Sequence, residues 1–185
     1  MHKIKNKKKF FQNEVYRAYT NNVIKNDTIT KKFLTLEVIN KFRDIGGVAC
    51  LIINNKNKIG LMKVYNPFIK KKYYSVVQGF LKDKETPLQS IKREIQEEVG
   101  ILTKQKDIKK LSDFYPILSL IDTKMRCYYL KIKKKTVIKK NLIEDEIGID
   151  KLYYYEKKKV KMFMKDPSKF DIITYMLLSY YFFLK

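Results

Sequence analysis

The sequence predicts an α/β (α+β) chain in which helices cover one mixed β-sheet. Three observations lead there. Short apolar runs bounded by Asn, Pro and Gly recur from Phe33 onward. One strongly amphipathic segment, residues 86–100, falls among them, and a long apolar run at 170–184 follows the last of them. A chain of 185 residues suits one domain with a real core, and an apolar share of 45% is ordinary for a globular protein.

The elements follow in order. Residues 1–32 are lysine-rich and weakly patterned, and read as an N-terminal extension, with the folded domain at 33–185. Residues 33–39 alternate enough for a strand. Residues 47–53 (GVACLII) form a buried-strand run, and Asn54, Asn55, Lys56 and Asn57 suit the hairpin turn into a returning strand at 59–65. Asn66 and Pro67 break that strand, and 73–77 make another. A loop at 78–85 leads to the best-defined helix: Thr86 caps it, Pro87 takes the first helical position, and Gln89 completes a capping box. Gly100 suits a left-handed end. Strand-like segments follow at 111–115, 125–132 and 152–155, and a last helix is expected to start near Ser168, after Asp166 and Pro167.

The charge balance is unusual, with 41 Lys and Arg against 19 Asp and Glu, a net +22. A nucleic-acid partner is one reading, since clustered cations release counterions from phosphate backbones. Compositional bias is the other and is preferred: the only arginines are Arg17, Arg43, Arg93 and Arg126, the only alanines Ala18 and Ala49, while Lys, Ile, Asn and Tyr run high, as AT-rich codons dictate. Arginine, not lysine, gives bidentate phosphate contacts. Cys50 and Cys127 make neither a zinc site nor a disulfide framework, and His2 is the sole histidine. Imidazole bases and His-ligated metals are thereby nearly excluded, leaving carboxylates, lysines, tyrosines or an oxygen-bound hard cation. The basic start lacks the apolar core of a secretory signal, and about fifteen apolar residues at 170–184 fall short of the roughly twenty a membrane span needs. A cytoplasmic protein without a membrane partner is expected.

Within the central helix, Leu88, Ile91, Ile95 and Val99 cluster on one face as a core stripe. Glu94, Glu97 and Glu98 share an adjoining face through i, i+3 and i, i+4 steps. Each like-charge pair costs roughly 0.2–0.5 kcal/mol, and the carboxylates sit at the helix end where the dipole disfavours them. A solvated acidic face is the ordinary fate of such a cluster. A hard cation would turn the repulsion into a shared oxygen ligand set, and Arg93 beside the cluster can hold a glutamate in place.

The wider spacing decides between these readings. Gly79, Glu85, Arg93-Glu94-Ile95, Glu97-Glu98 and Gly100-Ile101 read G-x5-E-x7-R-E-I-x-E-E-x-G-I, nine specified positions over twenty-three residues. This resembles the Nudix box at every defined position, and the chain from about Phe33 onward is similar to a Nudix hydrolase. The resemblance implies an α/β/α sandwich and a Mg2+ (or Mn2+) site held by Glu94, Glu97 and Glu98, with the backbone carbonyl of Gln78 joining the metal shell. It implies further that Glu85 supports the loop and helix and that Arg93 orients the glutamates. Two positions depart from the family's habit: Val77 stands where proline is common, and Lys84 where glycine often precedes the glutamate. They touch loop conformation, not the ligands. A general base often comes from a later loop, and of Glu144, Asp145 and Glu146 the choice falls on Glu146, followed by Ile147 and Gly148; a simple surface acidic patch remains the alternative.

The flanking segments resemble the ADP-ribose and ADP-sugar pyrophosphatase branch, through residues 111–130, Pro116 downstream of the box, and Phe170-Asp171-Ile172-Ile173 before a final apolar helix. The resemblance implies hydrolysis of an ADP compound to AMP and a homodimer sharing N-terminal strands. Tyr65, Tyr73 and Tyr74 are candidates to stack on adenine, and Lys63 to meet a phosphate, although core packing is the commoner use of a tyrosine. The alternatives are an RNA 5′ pyrophosphohydrolase or decapping enzyme and a non-catalytic Nudix-fold binding module. The intact acidic set argues against the module.

Overall fold

The computed structural model describes residues 3–25, 28–118, 120–133 and 151–183. An antiparallel sheet of three strands opens the chain: β1 (Lys3–Gln12), β2 (Tyr16–Lys25) and β3 (Thr28–Val38). The remaining strands are β4 (Ile45–Ile53), β5 (Ile59–Asn66), β6 (Lys71–Ser75), β7 (Val77–Phe80), β8 (Ile108–Phe114), β9 (Lys124–Lys131) and β10 (Tyr153–Tyr155). They form a seven-stranded sheet in the order β10-β5-β4-β9-β8, with β6 pairing β5 and β7 pairing β4. The β4–β9 pair is parallel and the rest antiparallel, so the sheet is mixed as expected.

Alternation along β4 assigns the two faces. Val48, Cys50 and Ile52 pack with Ile91, Ile95 and Val99 of α1 (Pro87–Val99). Ala49, Leu51 and Ile53 pack on the other face with Val160 of α2 (Lys157–Phe163) and with Ile173, Leu177, Leu178 and Tyr181 of α3 (Ile172–Phe183). The sheet therefore lies between helical layers. β4 is buried along its whole length, which is why its sequence reads as a continuous apolar run rather than an alternating one.

Three expectations change. The boundary placed after Lys32 falls inside β3, and the weakly patterned extension forms β1, β2 and the start of β3. That sheet is tied to the rest by β3: Leu36 N–H donates to the Leu120 carbonyl at 2.7 Å, and Val38 N–H to Asp122 Oδ1 at 3.1 Å. The last helix begins at Ile172, not near Ser168; Asp166 and Pro167 instead start a short 3-10 turn, whose Ser168 amide donates to Asp166 Oδ1 at 3.1 Å. The strand expected at 73–77 divides at Val76, where the chain leaves β5 and joins β4. Among the described residues, no helix is long and apolar enough to cross a membrane.

Candidate active site

Local sequence sets the frame of α1. The Thr86 side chain accepts from Gln89 N–H, the Gln89 side chain accepts from Thr86 N–H at 2.9 Å, and Gly100 closes the helix at φ 67°. This fixed helix carries its acidic face to β7 and the loop after it. Arg93 is the hub. Its Nε and Nη2 form a two-point pair with the Glu85 carboxylate at 2.8 and 3.0 Å, and its Nη1 donates to Glu94 Oε1 at 2.7 Å and Glu97 Oε2 at 2.8 Å. Nη2 also donates to the Phe80 carbonyl at 3.1 Å and to Ser90 Oγ at 3.2 Å. Glu85 is further held by Lys82 N–H at 2.9 Å.

The electrostatics follow from this geometry. Hydrogen bonding from Arg93 outweighs burial and holds the Glu85 carboxyl below the ordinary carboxylate range. Burial works against the Arg93 charge, but the hydrogen bonds it donates to Glu85 and Glu97 and the Glu94 charge override it and push its pKa upward. Glu94 is only 5% exposed, and a Cβ at Gly79 would overlap its carboxylate. Close approach of the Glu94 side chain to the backbone is therefore what requires glycine there. Glu98 Oε2 accepts from the Gln78 amide at 3.2 Å, which ties α1 to β7.

The structure thus gathers Glu85, Glu94 and Glu97 around Arg93, with Glu98 on the Gln78 amide. Among the described residues, no three acidic side chains converge on one point: Glu94 and Glu97 turn to Arg93 while Glu98 turns to Gln78. The donor set nevertheless fits a hard divalent cation, with carboxylate oxygens on one helix face and a guanidinium among them supplying the positive charge.

The two departures from the family's habit are now explicable. Lys84 lies at φ 59°, in the left-handed region that favours glycine. Val77 is buried in the α1 core and pairs with Cys50 across the β7–β4 ladder. Neither displaces a candidate ligand.

The expected substrate contacts fall on β5, on β6 and just after the end of β8. Tyr74 stacks on Phe163 with ring centroids 4.9 Å apart and meets Tyr155 edge-on at 5.8 Å, so its ring is spent on the packing of α2. Lys63 pairs with Tyr74 in the β5–β6 register, and its ammonium lies 5.7 Å from the Tyr153 ring centre. Tyr65, exposed, follows Lys63 by two residues and shares its face. Pro116 is half-buried just after β8. Tyr73 takes the opposite face, where burial and the charges of Asp171 and Glu98 push its phenol above its ordinary value. Glu144, Asp145 and Glu146 lie outside the described residues. Cys50 and Cys127 are buried and unpaired, and burial pushes both thiols up, which removes them as nucleophiles.

Sequence reasoning missed Ser75 and Thr174, both fully enclosed polar residues. Thr174 N–H donates to Asp171 Oδ1 at 2.8 Å, and its hydroxyl to Asp171 Oδ2 at 2.7 Å. Burial pushes the Asp171 carboxyl up against those donors. The spacing Asp171-x-x-Thr174 is a helix-cap signal and could have been found.

With this geometry in hand, comparison with known proteins fixes the class. A family model of the NUDIX domain matches residues 45–176, well over half of the chain. The chain belongs to the Nudix family and, with its box complete, is a Nudix hydrolase. Among solved structures it is similar to an ADP compounds hydrolase, with a TM-score of 0.72 and 12% identity over 97% of this chain and 91% of that one. At that identity the likeness concerns the fold. A comparison with curated proteins returns no match.

Proposed function

We propose that the protein is a magnesium-dependent pyrophosphatase that cleaves the diphosphate linkage of ADP-ribose or a related ADP compound and releases AMP. The observation that carries this reading is the acidic array centred on Arg93. It gathers Glu85, Glu94 and Glu97 on one guanidinium, with Glu98 held to the Gln78 amide beside them. Such a cluster at the wrong end of a helix dipole is costly without a cation. Glu94, Glu97, Glu98 and the Gln78 carbonyl would hold the ion. An ion held there would supply charge neutralisation for diphosphate oxygens and the leaving phosphate and would lower the pKa of a bound water.

The chain's own residues supply the framework for that chemistry. Arg93 holds Glu85, Glu94 and Glu97 close to one another and offsets part of their mutual repulsion. Glu85 fixes Arg93, and Gly79 leaves room for the Glu94 carboxylate beside the backbone. On the sequence alone, Glu146 is assigned as the general base. Tyr65 and Tyr73 are the tyrosines we retain as adenine platforms, since Tyr74 is committed to packing. The resemblance to the ADP-ribose branch and the fold likeness to an ADP compounds hydrolase support the substrate class. We also propose a homodimer, supported by Phe10, Phe11 and Leu34, which the N-terminal sheet leaves 59%, 51% and 42% exposed.

AMP release from ADP-ribose with magnesium, run beside 5′-capped and 5′-triphosphorylated RNA, tests the substrate. Turnover of ADP-ribose is expected. Turnover of RNA alone, falling steeply with salt, would contradict it and make the +22 surface part of the reaction.

A further inference from the structure

The chain between β6 and β7 crosses from one strand partner to another at Val76, and the register leaves that residue without a ladder partner on either side. Val76 is fully buried, so an unpaired amide there would carry the full cost of a lost hydrogen bond. A side chain 98 residues away supplies the partner. Thr174 Oγ1, on the first turn of α3, accepts from Val76 N–H at 2.9 Å and donates to Asp171 Oδ2 at 2.7 Å. Ser75 adds a second tie. Its hydroxyl donates to the Val76 carbonyl at 2.9 Å and accepts from Gln78 Nε2 at 3.3 Å. Gln78 then donates its backbone N–H to Glu98 Oε2. The Gln78 side chain also carries a buried Oε1 with no hydrogen-bond partner among the described residues. These two Gln78 contacts are thus both donations, from Nε2 to Ser75 Oγ and from the backbone N–H to Glu98 Oε2.

Two independent features separate this arrangement from an ordinary helix cap. A cap needs only the Thr174 amide on the Asp171 carboxylate, and it functions in contact with water. Here the hydroxyl is fully buried and spent on a backbone amide of the opposite element, two residues before Gln78. In addition, Phe170 bridges Tyr74 in parallel, so the segment leading into α3 lies along β6 itself.

We propose that Asp171, Thr174 and Ser75 are positioning residues for the metal site: the start of α3 fixes the β6–β7 crossing and thereby places the Gln78 carbonyl and the Glu98 carboxylate. This rests on the metal reading above. Loss of the Thr174 hydroxyl frees the Val76 amide, the crossing relaxes, and the Gln78 end of the site loses its fixed geometry while the Arg93 hub stays in place. The cost falls on cation affinity rather than on the carboxylates themselves. Outer-shell groups of this kind change metal affinity by ~10–100-fold when removed.

The test is direct binding of Mn2+ to the full chain without substrate, read from the loss of the free-ion electron paramagnetic resonance signal. Thr174→Val is expected to weaken binding by ~10-fold or more, Thr174→Ser to restore it, and Ser75→Ala to weaken it by a smaller factor. A folded Thr174→Val that binds Mn2+ like wild type, with only its melting temperature lowered, would overturn the proposal. If Thr174→Val does not fold, Ser75→Ala decides by the same comparison, because it leaves the α3 cap intact. Wild-type protein that binds no Mn2+ would instead overturn the metal reading, and this inference with it.

Discussion

Arg93 satisfies five acceptor groups at once, and no other cation shape could do so. Its planar fork matches the Glu85 carboxylate at two points, whereas a lysine offers a single charge on a flexible stem. Arg93→Lys is expected to lower activity by ~10–100-fold, which steady-state kinetics with ADP-ribose would show. Because Arg93 depresses the Glu85 pKa, the unfolded chain takes up a proton on Glu85 before the folded chain does as pH falls. That contribution to stability is fully present above the ordinary value of 4.5 and disappears as pH falls through the depressed folded value. Thermal melts followed from neutral pH downward should lose stability over that window, and Glu85→Gln should flatten this part of the curve. Lys84 carries the opposite signature, a side chain held at φ 59° at a cost of roughly 1–2 kcal/mol. Lys84→Gly should raise the melting temperature, its net gain reduced to about 1 kcal/mol or less by the added freedom of the unfolded chain. An unchanged or lower melting temperature would mean that the loop relaxes around lysine.

At the scale of elements, α1 was legible because all its signals are local. The Thr86 and Gln89 box, Pro87, the apolar stripe and Gly100 each act within a turn or two of their own position. Thr86→Ala should cost ~1 kcal/mol, measurable by chemical denaturation, since it removes one half of that box. The site residues on α1 and the loop before it were legible for the same reason, because Gly79 to Ile101 is one contiguous stretch. What was not legible depends on register. Lys63 and Tyr74 could be assigned to a face only once β5 and β6 were paired, and the break at Val76 depends on which strand each neighbour joins. The short α2 buries only Val160, too little to give a periodic signal. Asp166-Pro167 and Asp171 are both plausible helix starts, and only packing of Ile173 and Leu177 against the sheet selects the second.

For the whole molecule, the N-terminal sheet is the part composition concealed. β1 reads KIKNKKKFFQ, and its residues from Lys5 to Gln12 are exposed on both faces, so no buried side imposes an alternation. Its place is set by pairing to β2 and, through β3, to the segment before β9. The same sheet touches the candidate site, where Tyr16 packs edge-on against Phe80 at 5.2 Å and the Phe80 carbonyl accepts from Arg93. A change at the N-terminal sheet can thus reach the loop that holds Arg93. The proposed dimer should sediment as two chains of 22.2 kDa each. Phe11→Asp should shift it toward one chain if the exposed apolar residues of this sheet form the contact. A wild-type monomer at micromolar concentration would contradict that arrangement.

The central claim is that Glu98 acts as a carboxylate ligand and not as a structural polar group. AMP release from ADP-ribose by wild type and Glu98→Gln, each with and without magnesium, tests it most directly. The substitution keeps the shape and an acceptor for the Gln78 amide while removing one charge from a repelling cluster, so the metal-free variant should be at least as stable as wild type. The expected result is magnesium-dependent turnover in wild type and a loss of ~100-fold or more in the variant, by analogy with loss of other charge-stabilising groups at reaction centres. Near wild-type turnover by Glu98→Gln, or turnover indifferent to magnesium, would contradict it.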